Sequence, residues 1–289
     1  MTKTLLSIGH GFSAQALADR LLPVGWTIIG TTRSDEKAHA LSAKGIRPLI
    51  WPGADLSAAI SQATHVLTSV SPNDDGDPVL NAVAQDFGQA ADRLEWVGYL
   101  STTGVYGDHQ GGWVDENTPL TPSTRRGELR VMAETAWQEL AEASGLPLHI
   151  FRLAGIYGPG RGPFSKVRKG TARRIIKPGQ VFSRIHVDDI ASTLDASIKA
   201  PNPGGIYNLC DDDPAPPQDV IAHAAELLGV DVPPDLPIED AEMSPMARSF
   251  YADSKRVRND RIKDELGVEL AYPNYRIGLN ALLDQETVR

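Results

Sequence analysis

A glycine-rich turn near the N-terminus has the residue types that bind a nucleotide diphosphate. The apolar segment Thr4–Ile8 is followed by Gly9–Ala14, a G-x-G-x-x-A pattern, and then by residues with helical spacing. Gly9 permits a tight turn, Gly11 lets the backbone approach a pyrophosphate, and the small Ala14 lets helix and strand pack closely. The N-terminus of the helix favours an anion. The pattern predicts dinucleotide binding, with an ordinary tight turn as the alternative.

The end of the second predicted strand distinguishes NADP from NAD. The segment Trp26–Thr31 is followed by Thr32-Arg33-Ser34, with no acidic residue at the tip to accept from the ribose hydroxyls of NAD. The guanidinium of Arg33 can instead pair with a 2′-phosphate in bidentate fashion. We therefore predict NADP as the cofactor. Asp35 and Glu36 follow closely and keep NAD open, and a solvated loop charge is the alternative for Arg33.

The elements that must position this turn alternate along the first half of the chain. Predicted strands lie at Thr4–Ile8, Trp26–Thr31, Pro48–Trp51, His65–Val70, Trp96–Ser101 and Leu148–Leu153. Predicted helices lie at Ala14–Leu22, Lys37–Lys44, Val79–Arg93 and Arg126–Ser144. Strands that alternate with helices predict an α/β fold, a Rossmann-type doubly wound parallel sheet covered on both faces.

The second half of the chain is richer in clustered prolines than the first half. Prolines cluster after about residue 160, at positions 201–203, 214–217 and 233–237, which favours short elements joined by turns. We expect residues 1–160 to form an NAD(P)-binding Rossmann domain. Residues 161–289 are expected to form a small C-terminal substrate-side cap packed on it, with Asp219–Leu228 as one helix and with segments that return to the sheet.

The composition restricts the class of protein. The 289 residues are 41% hydrophobic and 22% charged, as in ordinary globular proteins, and the net charge of −9 disfavours nucleic acid as a partner. The single cysteine, Cys210, excludes a disulfide framework and a cysteine-based metal site, and no metal is predicted. No apolar run reaches the roughly 18–20 residues of a membrane span, and no signal peptide is visible. We expect a cytoplasmic monomer or homodimer with no membrane partner.

Several further strings resemble those of the extended short-chain dehydrogenase/reductase family, in its NAD(P)-dependent epimerase/dehydratase branch. They are Tyr99–Asp108, Asp115–Leu120, Arg152–Arg161, Arg184–Ala191, Tyr207–Asp212, and the tail from Ser254–Val257 to Leu266–Gly267. The strings keep the family's order and cover nearly the whole chain. The resemblance implies an NAD(P)-dependent oxidoreductase or epimerase.

The resemblance also implies roles for the matching residues. On the cofactor side these are Gly9, Gly11, Phe12 and Ser13 at the phosphates, Asp55 and Leu56 at the adenine, Ser69, Val70 and Ser71 at the nicotinamide ribose, and Ala154 and Ile156 beside the nicotinamide ring. Thr102 falls at the place of the family's catalytic Ser or Thr.

The chain departs from the family at the catalytic helix, which carries Tyr-x-x-x-Lys in the family. Arg126 stands where the Tyr is expected and Arg130 where the Lys is expected. The two share a helix face, and a guanidinium stays protonated, so neither can exchange a proton. Arg130 can still bind the ribose as a cation, and Arg126 can bind an anion or polarise a carbonyl. Tyr106 is the leading substitute for proton transfer, followed by Tyr157 and His186; packing and hydrogen bonding are the alternative for all three.

A basic segment marks the expected substrate side. From Arg161 to Arg184 there are eight basic residues and no acidic one. We predict that this segment attracts a small anionic substrate, with Arg161, Lys166 and Arg184 as contacts; a solvated or subunit-facing surface is the alternative.

Two functions stay open: an oxidoreductase or epimerase in which Thr102 and Arg126 polarise the substrate oxygen, and a non-catalytic dinucleotide-binding redox sensor or regulatory protein.

Overall fold

Alternating strands and helices build the fold, which we describe from a computed structural model for residues 3–287. The strands are β1 (Thr4–Ile8), β2 (Thr27–Thr32), β3 (Arg47–Ile50), β4 (His65–Thr68), β5 (Trp96–Thr102), β6 (Trp113–Val114), β7 (Leu148–Leu153), β8 (Gly155–Tyr157), β9 (Arg174–Ile176), β10 (Arg184–His186), β11 (Ile206–Leu209), β12 (Asp235–Pro237) and β13 (Arg256–Val257). The helices are α1 (Phe12–Leu21), α2 (Asp35–Ala43), α3 (Leu56–Gln62), α4 (Pro78–Ala90), α5 (Arg125–Ser144), α6 (Phe164–Arg168), α7 (Val187–Lys199), α8 (Pro217–Leu227), α9 (Pro245–Phe250), α10 (Asp260–Asp264) and α11 (Tyr275–Thr287).

The central sheet reverses its direction of growth beside the first strand. Within residues 3–287 the sheet has seven strands in the order β11-β7-β5-β4-β1-β2-β3, and all neighbouring pairs are parallel. The chain runs outward from β1 through β2 and β3 and returns to β4 on the other side of β1. Open α/β sheets bind ligands in the crevice at the carboxyl ends of strands at such a reversal. The predicted Rossmann-type doubly wound parallel sheet is confirmed.

Helices bury both faces of this sheet. On one face, Leu17 of α1 and Leu194 of α7 belong to one apolar core. On the other face, Ile60 of α3, Phe87 of α4 and Trp137 of α5 belong to a second core. Because both faces are covered, the central strands are nearly continuous apolar runs instead of alternating ones.

The structure differs from the sequence-based elements mainly at their ends. The helix predicted to begin at Arg126 begins at Arg125, because the Thr124 side chain accepts from the backbone N–H of Gly127 and caps it. As predicted, it ends at Ser144, and Gly145 follows with a φ of 74°. Helix α3 was not predicted. It has seven residues, too few for a helical period to stand out in the sequence.

The chain beyond residue 160 contributes to two places. Strand β11 pairs with β7 in the central sheet, and α7 packs against α1. Helices α6, α8 and α11 form a separate core that includes Phe164, Ala224 and Leu282. The boundary at residue 160 between a Rossmann domain and a substrate-side cap stays a prediction.

The described part of the chain has neither a membrane-spanning helix nor a cluster of metal-ligating side chains. No helix within residues 3–287 combines the length and the apolar character needed to cross a bilayer. Over the same residues, no group of three or more His, Cys, Asp and Glu side chains could hold a metal ion.

A buried ion pair joins α5 to the ends of the central strands. Glu134 Oε2 and Arg152 Nη2 lie 2.8 Å apart, and the two side chains are only 1% and 4% exposed. Ser101, near the end of β5, donates to Glu134. Arg152 donates to the hydroxyl of Tyr106 at 3.0 Å, and that hydroxyl donates to Asn208 of β11 at 2.7 Å. The network fixes three strands and one helix beneath the crevice.

Removing the acidic partner of this pair would leave the Arg152 charge buried and uncompensated. We expect Glu134→Ala to lower the free energy of unfolding by about 3–5 kcal/mol, measured by urea denaturation. Glu139→Ala, at an exposed position of the same helix, is the control and should change it by less than about 0.5 kcal/mol. Equal losses for the two variants would contradict the role of the ion pair.

Candidate functional site

The crevice at the carboxyl ends of β1 and β4 opens into a cavity of about 1010 Å³. Both the glycine turn and part of the basic segment line the cavity. The predicted site residues that line it are Gly9, Gly11, Phe12, Ser13, Ser69, Ser71, Thr102, Arg126, Arg130, Ala154, Ile156, Arg161, Lys166 and Arg184. The predicted site residues that are not among its lining residues are Arg33, Asp55, Leu56, Val70 and Tyr106.

The glycine turn presents bare backbone to the cavity. Gly9 has a φ of 80°, which favours glycine, and a Cβ there would lie 3.0 Å from Cγ2 of Val70. Helix α1 begins at Phe12 with Gly11 as its cap and no side-chain cap, so its first N–H groups are available to an anion. A Cβ on Gly11 would come no closer than 3.6 Å to another atom. This open cradle fits the diphosphate of a dinucleotide.

Arg130 joins the ends of two central strands beside the turn. Its Nη1 donates to the carbonyl oxygen of Leu100 and to the hydroxyl of Tyr99, both at 2.9 Å. Its Nη2 donates to Oγ of Ser71 at 3.2 Å. Burial raises the pKa of Tyr99 to about 12, with the Arg130 charge acting in the opposite direction. All three of these hydrogen-bond acceptors are uncharged, and the bond to Ser71 places the guanidinium beside that residue in the cavity.

Thr102 and Arg126 reach the cavity where α5 approaches the end of β5. A Cβ on Gly127 would lie 2.8 Å from the carbonyl oxygen of Gly104, so a glycine is needed for this close approach. Thr102 Oγ1 accepts from the N–H of Gly104 at 3.2 Å, which leaves its hydroxyl hydrogen to donate to a ligand. The exposed Arg126 guanidinium lies 5.1 Å from the ring centre of Phe250. The cavity thus contains a neutral donor and a permanent cation.

The basic segment contributes three cations to the cavity lining, in different settings. The Arg161 guanidinium lies 5.7 Å from the ring centre of Phe12, above the glycine turn, and Lys166 on α6 is exposed. Arg184 is hydrogen-bonded to the backbone. Its Nη1 donates to the carbonyl oxygen of Phe182 at 2.8 Å and to that of Ala215 at 3.0 Å. Arg161 and Lys166 are therefore the more accessible charges.

The three predicted candidates for proton transfer are buried, and two of them hold hydrogen bonds within the protein. Tyr106 is completely buried, its hydroxyl belongs to the Glu134–Arg152 network, and burial raises its pKa to about 12. These contacts favour a structural role for Tyr106 over proton transfer. His186 caps α7 by accepting from a backbone N–H at 3.2 Å. Tyr157 lines the cavity, but burial raises its pKa above the ordinary value.

The remaining predicted cofactor contacts lie outside the cavity lining. Asp55 caps α3, because its carboxylate accepts from the N–H of Ser57 at 2.9 Å. Leu56 belongs to the apolar core beneath that helix, and Val70 packs against the same core. Arg33 is exposed immediately after β2. Contacts of these residues with the adenine, the nicotinamide ribose or a 2′-phosphate stay predictions.

The sequence analysis missed two charged residues of the cavity lining, Asp253 and Lys255. Lys255 Nζ donates to the carbonyl oxygen of Gly107 at 2.7 Å and to Oδ2 of Asp253 at 3.2 Å, and burial lowers the pKa of this lysine. Ser254–Val257 had been noted for its family resemblance, but no local spacing rule places that string beside the end of β5.

Comparisons with known proteins agree with this geometry. Residues 8–210 match the NAD dependent epimerase/dehydratase family. Protein YeeZ of Escherichia coli (strain K12) is 29% identical over 287 residues, covering 94% of this chain and 97% of the relative. A functionally unknown conserved protein from Silicibacter pomeroyi has a solved structure with a TM-score of 0.93 and 58% identity, covering 99% of both chains. A dTDP-glucose 4,6-dehydratase from Bacillus anthracis, solved with NAD, shares the fold with a TM-score of 0.78 and 16% identity, covering 100% of this chain and 97% of that one.

A methyl group added at Gly9 tests the cradle. Gly9→Ala forces alanine into a positive φ and places its Cβ against Val70, so we expect affinity for NADPH and NADH to fall at least about tenfold, from a steric cost of about 1–3 kcal/mol. Titration of nicotinamide fluorescence measures this affinity. Gly25→Ala is the matched control, since Gly25 has a φ of 86° and no atom within 4 Å of an added Cβ. An equal loss in both folded variants would exclude a local effect on the cofactor.

Proposed function

The chain belongs to the NAD-dependent epimerase/dehydratase family, as its motifs predicted, and on that premise we propose an oxidoreductase that uses NADP and a small anionic carbonyl or hydroxyl substrate. Its cofactor is a nicotinamide dinucleotide, which when bound exchanges a hydride with a substrate carbon. One observation carries the proposal: a single cavity joins the glycine turn to Thr102 and to a set of basic side chains.

The cofactor is held by backbone at one end and by side chains at the other. The N–H groups of Gly11–Ser13 bind the diphosphate at the start of α1, next to Gly9, whose own N–H donates to the hydroxyl of Thr31. Ser71 and Arg130, which are already hydrogen-bonded to each other, bind the nicotinamide ribose. Ala154 and Ile156 follow β7 in the cavity lining and lie beside the nicotinamide ring. These assignments are supported by the presence of the same residues in the lining of one cavity.

The substrate is held by one neutral donor and by cations. The Thr102 hydroxyl donates to the substrate oxygen, and Arg126 binds the anionic group or polarises the oxygen. Arg161 and Lys166 attract the anion toward the cavity, because exposed charges raise the local concentration of an oppositely charged ligand. A hydrogen bond to a charged group is worth about 1.5–3 kcal/mol, enough to select an anionic substrate over a neutral one by about ten- to a hundredfold.

Arg33 supports NADP over NAD. Its side chain is exposed and directly follows the carboxyl end of β2, the position from which the ribose of a bound dinucleotide is read. A guanidinium there can pair with two oxygens of a 2′-phosphate. The helix after it begins with Asp35 and Glu36, but both lie in its first turn, where carboxylates stabilise a helix.

A second function is favoured by the identity of two residues on α5. Arg126 and Arg130 stand where the family resemblance places the proton-exchanging Tyr and its Lys, and neither can exchange a proton. A protein with a complete cofactor cradle and no proton-exchanging group would serve as a dinucleotide-dependent redox sensor or regulator. Such a protein binds NADPH but turns over no substrate.

A paired assay separates these functions. We expect purified protein to oxidise NADPH in the presence of 4-carboxybenzaldehyde, and to do so with a kcat/KM at least about tenfold higher than for the uncharged 4-methylbenzaldehyde, because one charge-assisted contact is worth more than 1.4 kcal/mol. Absorbance at the nicotinamide band follows the reaction. Tight NADPH binding without turnover of these or other carbonyl compounds would support the sensor and contradict the oxidoreductase.

Arg33→Ala tests the choice of cofactor. Loss of a bidentate pair with the 2′-phosphate should weaken NADPH binding about ten- to a hundredfold and leave NADH binding unchanged, since NADH lacks that phosphate. Dissociation constants of the two nucleotides for the same variant measure this, with NADH as the internal control. Equal weakening of both would contradict the assigned role of Arg33.

A further inference from the structure

The cavity has many cations and few groups that could exchange a proton. Arg126 and Arg130 stay protonated at any working pH. Tyr157 and Tyr275 lie at the lining, but burial raises the pKa of each, so their neutral hydroxyls hold their protons more tightly. Lys166 is exposed to solvent on α6, where its side chain is not enclosed with a reacting atom. Besides the serine and threonine hydroxyls, the described lining leaves one candidate, the pair of Asp253 and Lys255.

Lys255 is buried and yet in contact with the cavity. The residue belongs to the lining although it is only 9% exposed. Two of its three N–H donors are used, one by the carbonyl oxygen of Gly107 at 2.7 Å and one by Asp253 Oδ2 at 3.2 Å. The third has no acceptor among the described residues. The ammonium therefore has one donor available for a molecule in the cavity.

The backbone around Lys255 is fixed from two sides. The N–H of Ser254 donates to Oδ1 of Asp108 at 2.8 Å, and its carbonyl oxygen accepts from His109 and Gly111 in the same loop. The N–H of Val257 donates to Oγ of Ser183 at 3.1 Å. A donor held on a rigid backbone is the requirement for a group that must meet a reacting atom.

The carbonyl oxygen that accepts a hydrogen bond from Lys255 belongs to Gly107, a position that requires glycine. Gly107 has a φ of 72°, and a Cβ there would lie 1.8 Å from the carbonyl oxygen of Thr121. The turn after β5 thus directs the carbonyl oxygen of Gly107 at Lys255, five residues after Thr102.

We propose that Lys255 is the proton donor of the reaction and that Asp253 is its positioning residue, a role that rests on the function proposed above. In the reducing direction the substrate carbonyl carbon accepts a hydride from the reduced nicotinamide, and the π bond of the carbonyl breaks. The electron pair on the oxygen takes a proton from Lys255 Nζ and forms a hydroxyl. Lys255 is left as a neutral amine, and the nicotinamide is left oxidised.

The amine regains its proton from solvent beside Asp253. One oxygen of the Asp253 carboxylate accepts from Lys255, and the other accepts from the hydroxyl of the exposed Ser123. The pair therefore reaches from the cavity to the surface. In the oxidising direction the same groups take up the proton of the substrate hydroxyl and release it.

Nearby charges set the proton affinity of Lys255. Burial lowers the pKa of Lys255, and the carboxylates of Asp253 and Asp108 act in the opposite direction. Asp108 lies in the loop after β5 and also faces Lys177. Since a carboxylate favours the neighbouring ammonium, removing the charge of Asp253 lowers the pKa of Lys255 further.

The first test measures the proton affinity of Lys255 without cofactor. Protein labelled with ¹³C at the lysine ε carbon is titrated by NMR, and Lys255→Met identifies the signal by its absence. We expect Lys255 to titrate below the exposed lysines and Asp253→Asn to lower its midpoint further. A Lys255 signal that titrates together with the exposed lysines would overturn the proposal.

The second test follows turnover of 4-carboxybenzaldehyde with NADPH against pH. Because the ammonium is the donor, kcat should fall as pH rises through the pKa of Lys255, and Asp253→Asn should move that fall to lower pH. Lys255→Arg keeps the charge but cannot give up a proton, so it should lose turnover by at least about a hundredfold while it still binds NADPH. Lys199→Arg, which changes an exposed lysine paired with Asp195 on α7, should match the unaltered protein.

The outcomes separate the two proposals. Turnover by the unaltered protein that persists in folded Lys255→Arg would overturn the role of Lys255 and leave the oxidoreductase intact. NADPH binding without turnover by the unaltered protein would overturn the oxidoreductase, and the role of Lys255 with it. A uniform loss at every pH in Lys255→Arg, with the alkaline fall retained, would assign Lys255 a structural role only.

Discussion

The contact between one face of α5 and the carboxyl ends of the central strands is the constraint on which the site depends. Arg130 donates to a carbonyl oxygen at the end of β5, and Glu134, one turn later, accepts from Ser101 on the same strand and pairs with Arg152 of β7. An ion pair this deeply buried is costly to break. It therefore fixes the position of Arg126, one turn before Arg130, at the cavity.

In this account the permanent positive charge lies on α5, and proton exchange belongs to a residue outside that helix. The helix presents guanidiniums, which stabilise negative charge at any pH but hold their protons. A reaction that both moves a hydride and protonates an oxygen therefore needs a second source of protons. Lys255 belongs to the same cavity lining and is paired with Asp253, and burial and the carboxylate act on its pKa in opposite directions. Separating the two tasks leaves Arg126 able to bind an anionic substrate while Lys255 changes protonation state.

The sequence predicted the parts of the fold that depend on local pattern. Strand Thr4–Ile8 and the glycine turn were read correctly because a buried parallel strand is a short apolar run and because the turn needs Gly9. Tyr106 could not be read in this way: it lies two residues from Gly104 of the cavity, yet the turn after β5 directs its hydroxyl into the core toward Asn208. Lys255 was missed because its partner Gly107 is 148 residues away in the chain, and no periodicity encodes such a contact.

The central claim is that one cavity holds the nicotinamide and an anionic carbonyl compound against each other. Transfer of deuterium tests it most directly. With NADPH deuterated at the transferred position of C4 and 4-carboxybenzaldehyde as the acceptor, mass spectrometry of the alcohol product should find one deuterium on the carbinol carbon of each molecule. Alcohol without deuterium, or no alcohol from protein saturated with the nucleotide, would contradict the account.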